Sequence, residues 1–153
     1  MTGLREVEGD DADADLLEAA LLDTLRATLP QGRNSRLTVI LQDGEEILGG
    51  LVGSTAYGWL LVKVLWIDPR FRGRGLGRRL MARAADEAVA RDCHGIWLDT
   101  SSPKARDFYL ALGFTPFGQI ANSKDHHPPE HRRWFLQTTT TDLKQRLSES
   151  RAP

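Results

Sequence analysis

A nearly unbroken apolar run from Trp59 to Ile67 leads directly into Asp68-Pro69-Arg70-Phe71-Arg72-Gly73-Arg74-Gly75-Leu76-Gly77-Arg78-Arg79. This junction limits the possible folds more than any other stretch. The run is far too short to span a membrane and reads as a central strand buried on both faces. Asp68-Pro69 ends it, because proline supplies no ladder donor and restricts the residue before it. Beyond the glycines, Leu76, Leu80, Ala84 and Ala88 recur every four residues, with Arg79, Arg83, Asp86 and Arg91 on the polar side. That spacing predicts an amphipathic helix to about Asp92. Strand, glycine turn and helix in this order aim unpaired helix N–H groups at a ligand, and the glycines let the backbone come close to it. The helix dipole and Arg72, Arg74, Arg78 and Arg79 add positive charge, so a phosphate or pyrophosphate is the expected occupant.

Spacing narrows the ligand. A Walker-type loop needs a Lys and a Ser/Thr after its last glycine, and neither follows Gly77. The dinucleotide fingerprint would require glycine where Arg78 stands. What remains is Arg72-x-x-Gly75-x-Gly77. A second constellation lies downstream. Gly95 to Asp99 reads as a short strand, Ser102-Pro103 opens a helix, and Gly113 closes it before a new extended run starts at Phe114.

Together these residues resemble the two hallmarks of the GCN5-related N-acetyltransferases. The first is that family's pyrophosphate signature, Q/R-x-x-G-x-G/A. The second is its N-x-x-A-x-x-F-Y-x-x-x-G-F segment, here Ser102-x-x-Ala105-x-x-Phe108-Tyr109-x-x-x-Gly113-Phe114. The resemblance covers roughly Leu37 to Gln137. It implies an α/β acyl-CoA N-acyltransferase fold, with a mixed central sheet splayed at the cofactor site and helices on both faces. It also implies acetyl-CoA as acetyl donor. Leu65, Trp66 and Ile67 would pair with the pantetheine arm. Arg72, Gly73, Arg74, Gly75, Leu76, Gly77 and Arg78 would hold the pyrophosphate, and Ser102 would join the cofactor-binding set. Tyr109 would protonate the departing thiolate while a neutral amine attacks the thioester directly. A backbone N–H near Leu65 to Ile67 would polarise the carbonyl. The resemblance is compatible with a homodimer. A protein that binds an acyl-CoA as a sensor, without turnover, is the alternative.

The general base is less legible. Some family members carry a Glu on the central strand, where this chain offers only Lys63. Asp99, at the carboxyl end of its strand, is the leading carboxylate, with Glu130, His126, His127 and His131 as further candidates. The stretch Ser123 to Arg133 reads as a loop rimming the acceptor pocket. No metal site is expected, since Pro128 and Pro129 break any helix that would bring His127 and His131 together. Cys93, the single cysteine, rules out an internal disulfide and sits where a helix dipole raises a thiol's pKa, so a structural role is expected.

At the N-terminus Leu4 to Val7 is at most a weak strand. Leu16, Leu17, Ala20, Leu21, Leu25 and Leu29 then define a helix that Pro30 ends. Two strands joined by Asp43-Gly44 lead through Tyr57-Gly58 into the central strand, for an order β-α-β-β-β-α-β-α-β-β. One domain over residues 1–141 and a polar tail over 142–153, with room for a short helix, are expected. Trp59, Trp66, Trp97 and Trp134 are expected in the core. The formal net charge of -1 offers no basis for nucleic-acid binding. No membrane segment or leader pattern is visible, and a cytoplasmic enzyme acting on a small-molecule amine is expected.

Overall fold

The computed structural model describes residues 3–149, which fall into two compact units that divide between Gln31 and Gly32. The first contains α1 (Asp11–Thr28). Asp10 caps it by accepting from the Asp13 amide at 3.0 Å, and the Asp13 carboxylate accepts from the Asp10 amide in return. Leu4 to Val7 forms no strand. Arg5, Glu6 and Glu8 interrupt the apolar residues there, and the first unit has no strand edge to pair with.

The second unit is a six-stranded sheet in the order β1-β2-β3-β4-β6-β5. Its strands are β1 (Ser35–Asp43), β2 (Glu46–Ala56), β3 (Trp59–Ile67), β4 (Gly95–Thr100), β5 (Thr115–Ala121) and β6 (Arg132–Thr139). Tight turns join the first three strands, with Gly44 at φ 58° and Tyr57-Gly58 at 55° and 79°. β3 and β4 are parallel, but their pairing covers only Trp59–Leu61 against Gly95–Trp97. Beyond that the strands part, so the second half of β3 is buttressed by β2 alone. A bulge helps to produce this. Val52 pairs with Val64 and Gly53 with Val62, which leaves Lys63 as the extra residue. Before the bulge Leu60 and Val62 enter the core; after it Leu65 packs there, while Val64 and Trp66 are about half exposed.

α2 (Leu76–Ala90), α3 (Pro103–Ala111) and α4 (Thr140–Glu149) pack on one face of this sheet. Right-handed crossovers from β3 to β4 and from β4 to β5, which run in the same direction along the sheet, require α2 and α3 to share a face. The core joins Leu51, Leu60 and Val62 to Met81, Ala84 and Ala88 of α2, Ile96 and Leu98 of β4, and Trp134 and Leu136 of β6. Of the four tryptophans only Trp134 is buried, and Trp66 is 45% exposed. Trp97 alternates with the core residues Ile96 and Leu98, and the bulge at Lys63 turns Leu65 rather than Trp66 toward the core.

The segment expected as a tail with a short helix does hold one, and that helix packs into the core. α4 starts at Thr140, whose amide donates to the His94 carbonyl at 3.0 Å. Leu143 and Leu147, one helical turn apart, close the core against α2. Only two apolar residues in ten carry this helix, which is too weak a period to stand out in a polar segment. Residues 150–153 lie outside the described residues.

Candidate active site

The parted strands open a cleft of about 310 Å³. Leu65, Trp66 and Ile67 line it from β3, Arg72 and Gly77 from the glycine turn, and Ser102, Lys104, Ala105, Phe108 and Tyr109 from α3 and its cap. A second hollow of about 390 Å³ shares Ile67, Arg72, Gly77 and Phe108, and extends over Phe71, Gly73, Gly75, Leu76 and Arg78. The two predicted motifs therefore meet at Gly77 and Phe108. Arg74 lines neither hollow; its guanidinium stacks on the Phe71 ring at 5.5 Å.

The turn is built locally. Asp68 accepts from the Arg70 amide at 2.9 Å and starts a short 3-10 turn, Pro69–Phe71. Hydrogen bonds and the charge of Arg70 hold the Asp68 carboxyl below its ordinary range. Arg70 also reaches Glu46 at 3.0 Å, tying the turn to β2. Arg72 Nε donates to the Ile67 carbonyl at 3.0 Å, which places its guanidinium at the end of β3. Gly75, the N-cap of α2, has φ 75°, and Gly73 has φ 76°. A β-carbon on either would meet nothing within 4 Å, so backbone conformation is the reason for glycine at both. The first α2 amide with an intrahelical acceptor is that of Arg79, bonded to the Gly75 carbonyl at 3.1 Å. The amides of Leu76 and Gly77 ahead of it have no hydrogen-bond partner among the described residues, as suits an anion at a helix start.

At the other end of the cleft, Ser102 caps α3 by accepting from the Ala105 amide at 3.1 Å. Tyr109 is 6% exposed, its ring wedged edge-on between Phe108 and Phe114. No described protein group pairs with its hydroxyl, and no fully buried side-chain N or O among the described residues lacks a partner. The Tyr109 hydroxyl therefore keeps access to the cleft. Burial pushes its pKa up to about 12.

Asp99 lies elsewhere. Its Oδ1 accepts from Arg133 Nη2 at 2.6 Å and Nε at 2.7 Å, and it does not line the cleft. The segment 122–131 is a compact hairpin loop. The Ser123 amide donates to His126 Nδ1 at 2.9 Å, the Asn122 amide to the His131 carbonyl at 2.8 Å, and His131 Nε2 lies 3.1 Å from Ser101 Oγ. Among the described residues no three His, Cys, Asp or Glu side chains cluster as a metal site. No described helix is long and apolar enough to cross a membrane. Cys93 is buried, and burial raises its thiol pKa. Lys104 was not singled out by sequence reasoning. Its position on the first turn of α3, beside Ser102, is the signal that could have identified it.

Residues 4–114 match the model of the acetyltransferase (GNAT) family. The acetyltransferase Atu2258 of Agrobacterium fabrum is 42% identical over 81 residues, covering 53% of this chain and 59% of that protein. Blasticidin-S acetyltransferase of Streptomyces morookaense is 42% identical over 87 residues, covering 55% and 60% respectively. The chain thus spans about three fifths of the length of these curated relatives. A crystal structure from Agrobacterium tumefaciens, assigned as an acetyltransferase, superposes with a TM-score of 0.78 at 27% identity, covering 91% of this chain and 99% of the other.

Proposed function

The chain belongs to the acetyltransferase (GNAT) family, and from that premise we propose that it transfers the acetyl group of acetyl-CoA directly to a primary amine of a small molecule. The observation that carries this reading is the Tyr109 hydroxyl. It has no described protein partner and opens on a cleft whose other end is the glycine turn at the start of α2. A protein that only bound an acyl-CoA would have no use for a positioned phenol.

The chemistry follows from the arrangement. The α2 N-terminus and Arg72 hold the pyrophosphate, and the edge of β3 freed after Leu61 pairs with the pantetheine amides as an added strand would. One backbone N–H between Val64 and Ile67 polarises the thioester carbonyl. The amine attacks that carbon, the C–S bond breaks, and Tyr109 donates to the departing sulfur. A phenol near pKa 12 is a weaker acid than a thiol of ordinary pKa about 8.5. Tyr109 therefore acts as a hydrogen-bond donor to developing charge and gives up its proton only as the substituted nitrogen's proton is returned to it.

Small-molecule acceptors are supported by the relative named for blasticidin S. Calorimetric titration with acetyl-CoA, followed by thiol release against a panel of amines that includes blasticidin S, tests the proposal. Binding with amine-dependent release is expected. Binding without release from any amine would favour a sensor, and absence of binding would overturn the assignment of the turn.

A further inference from the structure

The seam between β4 and β6 carries a polar ladder on the sheet face turned away from α2, α3 and α4. Ile96, Leu98, Trp134 and Leu136 point into the core. Alternation therefore sends Trp97 and Asp99 on β4, and Arg133 and Phe135 on β6, to the opposite face. Two side-chain contacts cross the seam there, Arg133 to Asp99 at 2.6 Å and His131 Nε2 to Ser101 Oγ at 3.1 Å. Ser101 immediately precedes Ser102 of the cleft. Because β4 has parted from β3 by this point, the Ser101 end of β4 flanks the opening where the thioester would lie.

His131 is held for such a role. The Asn122 amide bonds its carbonyl at 2.8 Å, the Asn122 side chain bonds the Pro128 carbonyl at 2.9 Å, and the ring is half-buried. Two competing groups are engaged elsewhere: Asp99 with Arg133, and His126 Nδ1 with the Ser123 amide. With its proton on Nδ1, the neutral His131 ring offers Nε2 as an acceptor to the Ser101 hydroxyl.

We propose that His131, acting through Ser101, is the base that takes a proton from the incoming ammonium group. The proposal rests on the acetyl-transfer reading above. The ammonium proton passes to Ser101 Oγ as the hydroxyl proton passes to His131 Nε2, and the imidazolium then releases it to solvent. The freed amine forms the N–C bond and the C–S bond breaks. The second nitrogen proton replaces the one that Tyr109 lends to the thiolate, so the products are amide, thiol and one solvent proton. The titratable and charged side chains of the flanking elements are Asp99 on β4, Arg132 and Arg133 on β6, Lys104 on α3, and Lys124, Asp125, His126, His127 and Glu130 in the hairpin loop. β5 contributes none. The charge of Asp99 is answered by Arg133, so the seam beside His131 carries no net charge of its own.

The test compares two small acceptors of similar shape, ethylamine, which is almost wholly protonated at pH 7, and 2,2,2-trifluoroethylamine, which is largely neutral there. For His131→Gln, kcat/KM with ethylamine should fall about 100-fold, the size of a general-base contribution. With the fluorinated amine the fall should stay within about 3-fold, because no proton has to be removed before attack. Raising the pH should narrow the ethylamine deficit. Ser101→Ala, at an exposed position, should show the same selectivity and serves if the first variant folds poorly. Acetyl-CoA affinity by calorimetry should be unchanged in both. Equal losses on both amines, no loss on either, or turnover of neither amine by wild-type protein that binds acetyl-CoA would overturn the assignment of His131. Failure of the wild-type protein to bind acetyl-CoA would instead remove the acetyl-transfer reading on which it rests.

Discussion

Phe108 stands over Gly77, with its Cζ 3.2 Å from the point where a β-carbon on that glycine would lie. The contact joins the second motif to the first, since both residues line both hollows of the site. Gly77→Ala should leave Tm nearly unchanged, because alanine's helix preference of about 1 kcal/mol offsets a small displacement of the ring. Acetyl-CoA affinity should nevertheless fall about tenfold, roughly 1.4 kcal/mol, as the methyl group and the displaced ring narrow the passage. Calorimetry alongside a thermal melt checks both parts.

Gly75→Ala should behave in the opposite way. Its added methyl meets no neighbour within 4 Å, but φ 75° would be forced on an alanine, at a cost of about 1–2 kcal/mol. Tm should drop by about 3 °C per kcal/mol in a chain of this size. A melt showing no change would mean that the turn relaxes without strain.

Tyr109→Phe should lower kcat about 100-fold while acetyl-CoA affinity stays the same. The buried phenol also predicts how stability depends on pH. Its folded pKa of about 12 lies above the ordinary value of 10.0. The folded protein therefore holds this proton more tightly, and no stability is lost on this account below pH 10. Above pH 10 the unfolded chain ionises first, and stability falls through the window up to about pH 12 by about 1.4 kcal/mol per pH unit. Urea unfolding between pH 9 and 12 should show this extra loss in the wild-type protein and not in Tyr109→Phe.

Asp99→Asn tests the carboxylate that the sequence favoured as a base. Its Oδ1 carries two bonds from Arg133, which also stacks against Phe135 at 5.8 Å. Turnover should stay within about threefold of wild type at pH 7, since a partly exposed ion pair contributes about 1 kcal/mol or less. A loss near 100-fold would assign Asp99 the proton transfer instead of His131.

Leu143→Ala should destabilise the protein by about 3 kcal/mol, because Leu143 is fully buried and its truncation leaves a cavity under α2. Acetyl-CoA binding by the folded fraction should be unchanged. Denaturant unfolding with a matched binding titration separates the two effects.

Much of the site was readable because it depends on local chemistry. Arg72, Gly75 and Gly77 form the glycine turn proposed to hold an anion, and its backbone conformation and helix polarity are both set by neighbours within a few residues. The hairpin of β1 and β2, the cap at Ser102 and the stop at Gly113 are local in the same sense. The role of α4 was not readable, since Leu143 and Leu147 matter only because α2 presents an alanine face to them. Trp66 was hidden for a related reason: the bulge at Lys63 reverses which residues of β3 reach the core, and strict alternation from Trp59 cannot anticipate it.

What the sequence determined alone was therefore the succession of strand, glycine turn and helix, together with the aromatic pair Phe108 and Tyr109 one motif later. Contacts between residues distant in the chain decided the rest. The short β3 and β4 pairing opened the cleft, burial raised the pKa of Tyr109, the seam gave Asp99 to Arg133, and the hairpin loop carried His131 to Ser101, 30 residues away in sequence. Hydrogen-bond reach is a few ångströms, and only the folded sheet brings such residues within it.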